Sequence, residues 1–218
     1  MALSRLNYNS FNVTPTASKG IGFDSGADDL AATFSGGSMT FIKKLTASTS
    51  STLSFVDGTS DVVLDNTYKE YLFTWNNLHP GTNSVHLTFQ ANSAGGADYN
   101  ETMTTTQFRA YYNEAGNDDD LEYVDADQAQ GTSFQNLGGT INTGNDNSTS
   151  GILQLFNPSS TTFVKHFIAT AQEIIDDSYS MQYFTAGYFN TTSAIDEIQF
   201  KFSSGNIDAG DICLYVIN

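Results

Sequence analysis

Only eight of the 218 residues are lysine or arginine, against 24 aspartates and glutamates, which leaves a formal net charge of −16. Such a field repels phosphate backbones and anionic lipid, so it argues against nucleic-acid binding and against membrane insertion. Charged residues of both signs make up just 15% of the chain, below the roughly 25% of ordinary domains. The polar surface must therefore be built from Ser, Thr, Asn, Gln and Gly. Cysteine is nearly absent: Cys213 stands alone within an apolar stretch. It cannot close an intrachain disulfide and reads as a small buried hydrophobe, so no disulfide framework is expected and an oxidising secretory route is not indicated. Prolines number three, so turns must rely on Gly, Asn and Asp. No run approaches the 18 consecutive apolar residues of a membrane-spanning helix. The opening MALSRLNYNSFNV holds no apolar run of signal-peptide length.

What the chain does have is aromatics: 16 Phe, 11 Tyr and one Trp. Many fall at alternating positions, the mark of half-buried strands. In Ser84–Ala91 (SVHLTFQA), Val85, Leu87 and Phe89 share one face, while His86, Thr88 and Gln90 share the other. The same period predicts strands over 40–46, 51–56, 68–76, 101–113, 151–157, 161–171 and 179–190. A final hairpin is expected between Ile198–Phe202 and Ile212–Val216, with SSGNIDAG as its turn. The segment TTFVKHFIATA (Thr161–Ala171) is apolar on both faces, as a covered strand would be. ATAQEII (Ala169–Ile175) reads as one helical turn at most. The acidic stretch 113–139 reads as a long loop with a small strand or helical turn at Leu121–Val124. Eight or more short strands with polar turns and no amphipathic helix predict an all-β fold, a two-sheet β-sandwich that is jelly-roll-like. Residues 1–38 differ, having scattered apolar residues and no sustained period. They are expected to form an extended N-terminal arm ahead of a β-sandwich domain over 39–218. Leu3, Leu6, Tyr8, Phe11 and Val13 are the candidate partner-docking residues.

No catalytic constellation stands out. His79, His86 and His166 have no metal-ligand spacing, and Cys213 lacks an activating neighbourhood. No phosphate-binding glycine loop occurs. The run Asp118, Asp119, Asp120, Glu122, Asp125 and Asp127 is the most conspicuous cluster. Hard cations want several oxygen ligands on a flexible loop, so these six are candidate calcium ligands. The spacing lacks the glycine and the closing glutamate of an EF-hand loop, and the alternative is a solvated acidic loop. Neither a catalytic residue nor a cofactor is assigned.

The stretches FIKKLTASTSSTLSFVDGTSDVVLDNTYKEYLFTWNNLHP (Phe41–Pro80), LQLFNPSSTTFVKHFIA (Leu153–Ala169) and AGYFNTTSAIDEIQFKFSSGNIDAGDICLYVI (Ala186–Ile217) resemble a family of virion structural proteins of tailed phages with marine and cyanobacterial hosts. Its members look like tail-fibre or receptor-binding β-sandwich modules. The resemblance covers most of residues 39–218, most specifically NPSSTTFVKHF and SSGNIDAG, and is weaker over the first 38. It implies a non-enzymatic component of the virion, assembled in the host cytoplasm. It also implies a homotrimer that contacts other virion proteins through the arm and meets a host surface glycan. The alternatives are a capsid decoration protein on the head lattice and, from another class, a carbohydrate-active β-sandwich enzyme.

Overall fold

The computed structural model describes residues 19–23, 30–35, 38–96, 98–175 and 178–217. The chain divides into two compact units, Met1–Thr40 and Phe41–Asn218. Within the first, β1 (Lys19–Phe23) and β2 (Leu30–Ser35) form an antiparallel pair. The docking candidates Leu3, Leu6, Tyr8, Phe11 and Val13 lie outside the described residues.

The larger unit continues with β3 (Met39–Thr46), β4 (Leu53–Val56), β5 (Glu70–Pro80), β6 (Leu87–Ser93), β7 (Met103–Asn113) and β8 (Asp119–Tyr123). There follow β9 (Gln135–Asn136), β10 (Thr149–Phe156), β11 (Lys165–Ile175), β12 (Tyr179–Phe189), β13 (Ile195–Phe202) and β14 (Ile207–Ile217). They form an eight-stranded sheet in the order β3-β14-β5-β10-β11-β12-β7-β8 and a four-stranded sheet in the order β4-β13-β6-β9. The two antiparallel sheets pack face to face as a β-sandwich.

The connectivity is that of a jelly roll. The neighbours β3·β14, β4·β13, β5·β10 and β6·β9 are the successive rungs of one long hairpin, rolled so that alternate rungs fall in opposite sheets. Its tip lies between β6 and β9, and two pairs of strands are inserted into it. One, β7–β8, sits at the tip. The other, β11–β12, sits between β10 and β13. Both add to the same sheet, and β12 pairs with β7 in continuous register from Tyr179↔Asn113 to Phe189↔Met103. The insertions thus form a four-stranded wing beyond β10.

The alternation in the sequence sets the core. Phe55 on β4, Phe200 on β13 and Phe89 on β6 point inward from the small sheet. Phe73 on β5, Phe167 on β11 and Phe189 on β12 meet them from the large sheet. Ring centroids lie 5.2 Å apart for Phe55–Phe73, 5.6 Å for Phe73–Phe200 and 5.0 Å for Phe89–Phe167. Edge-on and tilted contacts of this kind add to the area buried. Trp75 lies against Gly151 on the neighbouring strand β10, where a Cβ would stand 2.4 Å from the indole ring and 2.3 Å from the Thr170 carbonyl oxygen. Glycine at 151 is therefore what lets the largest core side chain lie flat on the sheet.

Under the wing the small sheet runs out, because β9 has only two residues. A layer of amides fills the space. The Gln107 amide donates to Thr185 Oγ1 (2.7 Å) and to the Asn136 carbonyl (2.9 Å), and Thr105 Oγ1 donates to Gln135 Oε1 (2.7 Å). Gln90 reaches the carbonyls of Glu101, Thr132 and Ser133. These bonds hold the segment after β8 down on the inner face of β7 and β12, where buried polar groups need partners.

Three expectations are corrected. The last two strands do not form a hairpin: β13 pairs with β4 and β6, while β14 lies in the other sheet between β3 and β5. In SSGNIDAG, residues 203–206 cross between the sheets and residues 207–210 begin β14. The crossing is pinned where Ser50 and Ile207 exchange two backbone bonds of 2.8 and 2.7 Å. Ala169–Ile175 is not a helical turn, since β11 continues as strand to Ile175 in register with β12. The two-faced apolar pattern around Thr161–Ala171 does not mark a covered strand. Its first residues are loop, and the outward side chains His166 and Ile168 are exposed. Cys213 is a free and buried thiol.

Candidate functional site

Two places on the body carry side chains that the packing of the core does not use up. The first lies at the edge of the wing's inner face, where a pocket of ≈ 300 Å³ is lined by His86, Arg109, Gly138, Ile175, Met181 and Tyr183, among others. Register places Tyr183 on β12 opposite Arg109 on β7, and Arg109 opposite Glu122 on β8. The guanidinium donates to the Tyr183 hydroxyl (3.1 Å) and, through Nε, to Glu122 Oε1 (2.7 Å). Both Arg109 and Glu122 are partly open to solvent. His86 Nδ1 stands 3.3 Å from the Gly138 carbonyl.

Behind this pocket sits Glu173. It is completely buried on β11 between Thr149 of β10 and Met181 of β12. The Gly139 N–H donates to its Oε2 at 2.7 Å, while Oε1 has no hydrogen-bond partner. Gly138 leaves the room that the carboxyl occupies, since a Cβ there would fall 1.9 Å from Oε1. Burial pushes the carboxyl up to about 8, opposed by the Gly139 N–H and the Thr149 side chain. Glu173 is thus a neutral acid at pH 7, since its conjugate base is too poorly solvated there. A strained proton balance in a cleft is a familiar signature of catalysis. Here, however, the Gly138–Gly139 strap covers the carboxyl, and Glu173 has no exposed surface with which to meet a substrate. Tyr183 is also pushed up by burial, opposed by Arg109. Lys165, buried at the start of β11, is pushed down by burial and donates to the Thr191 carbonyl at 3.1 Å.

The second place is the outer face of the eight-stranded sheet. Pairing puts Leu72, Gln154, Ile168 and Ala186 in one row across β5, β10, β11 and β12. The next row holds Ile152, Thr170, Phe184, Phe108 and Tyr123, from β10 to β8. Phe108 and Phe184 stack at 4.8 Å with an 11° interplanar angle. Between the ridge of Phe156, His166 and Tyr188 and the small residues Ala186 and Thr104 runs a shallow depression of ≈ 400 Å³. Ile152, Ile168, Phe108 and Tyr123 are each more than 40% exposed.

The acidic residues predicted as calcium ligands are strung along and beyond β8 rather than gathered. Asp118 accepts from the Tyr179 hydroxyl (2.8 Å), and Asp127 from that of Tyr123 (2.7 Å). Asp120 accepts the N–H of Leu121 (2.7 Å), and Glu122 is committed to Arg109. Asp119 and Asp125 are exposed. A strand sends alternate side chains to opposite faces, so a run of aspartates on one cannot converge. Among the described residues no group of three or more His, Cys, Asp or Glu is arranged to hold a metal ion. The three histidines stand on separate neighbours: His79 by Gly144 and Asp208, His86 by Gly138, and His166 by Tyr188. The run has a plainer role. β8 is an edge strand, and its carboxylates discourage further strand pairing, as Lys43 and Lys44 do on the opposite edge strand β3.

Arg109, Glu173 and Tyr183 were not singled out by sequence reasoning. For Glu173 a signal existed: it continues the inward series Phe167, Ala169, Ala171 and ends before Ile175, so a carboxylate sits at a core position. For Arg109 none existed, because its partners come from strands 13 and 74 residues away.

Comparison with family models, with curated proteins and with solved structures finds no match to this chain. Among the described residues, no helix is long and apolar enough to cross a membrane.

Proposed function

We propose that this chain is a non-enzymatic structural protein of a bacteriophage virion, a tail- or fibre-associated component that presents its jelly-roll body at the particle surface. The observation that carries the reading is the outer face of the widened sheet. A binding cleft would place its polar groups around a concavity. The two insertions do something else: they double the width of one sheet, and apart from the Arg109 pocket at its edge their inner face is closed by amide bonds from Gln107, Gln135 and Gln90. What they add to the molecule is an open apolar wall. Walls of this size on a soluble chain serve contacts with other proteins. The resemblance of Phe41–Pro80, Leu153–Ala169 and Ala186–Ile217 to phage virion proteins points the same way, with the N-terminal segment as the element that joins other virion proteins.

The test is localisation. An antibody raised against the purified chain is applied to purified particles of the encoding phage and viewed by immunogold electron microscopy. Label at the tail, at low copy number, is the expected result. Particles without label overturn the virion reading. Dense label over the head replaces the tail placement with a decoration role on the head lattice.

A further inference from the structure

We propose that the outer face of the eight-stranded sheet is the surface through which two copies of this chain pack, sheet on sheet, about a two-fold axis running along the strands. The inference rests on the assembly role proposed above and names the partner of that face.

The first ground is charge. From β14 to β8, two neighbouring rows of outward side chains include Tyr215, Leu72, Ile152, Ile168, Phe184, Phe108 and Tyr123, completed by Thr, Gln, Ala and Cys. No member of either row is charged, although the chain carries 32 charged residues. Two molecules that each bear −16 meet most easily where neither presents charge. Repulsion from the remainder fades over a Debye length of about 8 Å in physiological salt.

The second ground is area. Eight strands spaced about 4.8 Å apart, with four outward rows about 6.8 Å apart, span roughly 1,000 Å², the two uncharged rows at the centre and Glu70 and Asp211 in the rows that flank them. A stable interface needs about 800 Å² from each partner. The face meets that requirement with a second copy, whereas a sugar ring would occupy a fraction of it and find few hydrogen-bonding groups.

The third ground is the margins. Lys44 lies on β3 at one side of the face, beside Asp211 at 3.4 Å, and Asp119 lies on β8 at the other. A two-fold axis along the strands turns the sheet over and lays each margin on the opposite margin of the other copy. The contact is then isologous and closed. Both partners keep their own cores, and the pair becomes a four-layered stack of sheets at the usual spacing of about 10 Å.

The test is the mass of the full chain in solution, by sedimentation equilibrium and light scattering at concentrations up to about 100 μM. Twice the protomer mass of 23.6 kDa is expected. Ile168→Asp, at the centre of the face, should weaken association at least about ten-fold. Its melting temperature should stay within a few degrees of the parent, because Ile168 is 51% exposed in the protomer. Should that variant not fold, Ile152→Ser is read in its place. A chain that is monomeric throughout, one that forms trimers, or a dimer indifferent to both substitutions overturns the proposal. A dimer found in solution but never in particles would overturn the virion reading and leave this one standing. A virion protein that is monomeric when purified would do the reverse.

Discussion

Glu173→Gln keeps the shape of the buried side chain and its acceptor for the Gly139 N–H, but removes the proton equilibrium. In the folded chain the carboxyl holds its proton to about pH 8, whereas its ordinary value is 4.5. Between those values the folded state binds one proton more than the unfolded state, so stability falls as pH rises through this window. Above about pH 8 the loss levels off. The interval of about 3.5 pH units, at about 1.4 kcal/mol each, gives a ceiling of about 5 kcal/mol at alkaline pH and about 3 kcal/mol at pH 7. That is a large share of the 5–15 kcal/mol typical of a folded domain. The glutamine should therefore stabilise the protein, by little near pH 4.5 and by several kcal/mol near pH 8.5. Urea unfolding followed by tryptophan fluorescence between pH 4.5 and 9 measures both curves, with Trp75 as the single reporter. Subtracting them cancels the other titrating groups. Parallel curves, or a glutamine variant less stable at pH 8.5, would refute the reasoning. They would mean that the carboxyl is ionised and solvated, and hence that the Gly138–Gly139 strap does not seal it.

Gly151→Ala should cost about 2–4 kcal/mol, since the methyl group must displace either the Trp75 ring or the backbone of β11. A shift in the urea midpoint accompanied by a red shift of tryptophan emission would report it, and an unchanged midpoint would contradict it. Ending the chain after Gly210 should abolish folding. It removes Ile212, Leu214 and Val216, all fully buried, at about 1.5–3 kcal/mol each, and it takes away the strand that joins β3 to β5. A cooperative thermal melt of the shortened chain would disprove this.

The strands were legible because one face of almost every one is sunk in the core. Val85, Leu87 and Phe89, or Leu153 and Leu155, announce themselves by period two. That period says which side chains point inward, but not which sheet they point from. Ile198, Phe200 and Phe202 look like natural hairpin partners for Ile212, Leu214 and Val216. In the structure they face them across the core, because each strand bonds to others far away in sequence. The outer face failed differently. Apolar residues on both sides of β11 predict a strand covered on both sides, and within this chain nothing described among residues 41–217 covers the second side. Gln172 and Glu173 within ATAQEII imitate a helix, and only the unbroken ladder with β12 decides for strand. The pocket was illegible because Arg109, Gly138 and Tyr183 converge from three elements. The acidic cluster was visible and misleading, since charge density in sequence turned into spread along an edge.

The place of β14 also bears on how the chain is made. It slots between β3 and β5, and β5 begins at Glu70 whereas β14 begins at Ile207. At ordinary translation speeds of about 5–20 residues per second, roughly 7 to 30 s pass between them. Throughout that time β3 and β5 each wait with an unpaired side, beside an apolar core that is still short of Ile212, Leu214 and Val216. The nascent chain is therefore most exposed to aggregation just before β14 is made, and chaperone demand should peak there. Slowing the ribosome over codons 203–210 should lower soluble yield while leaving the final product unchanged.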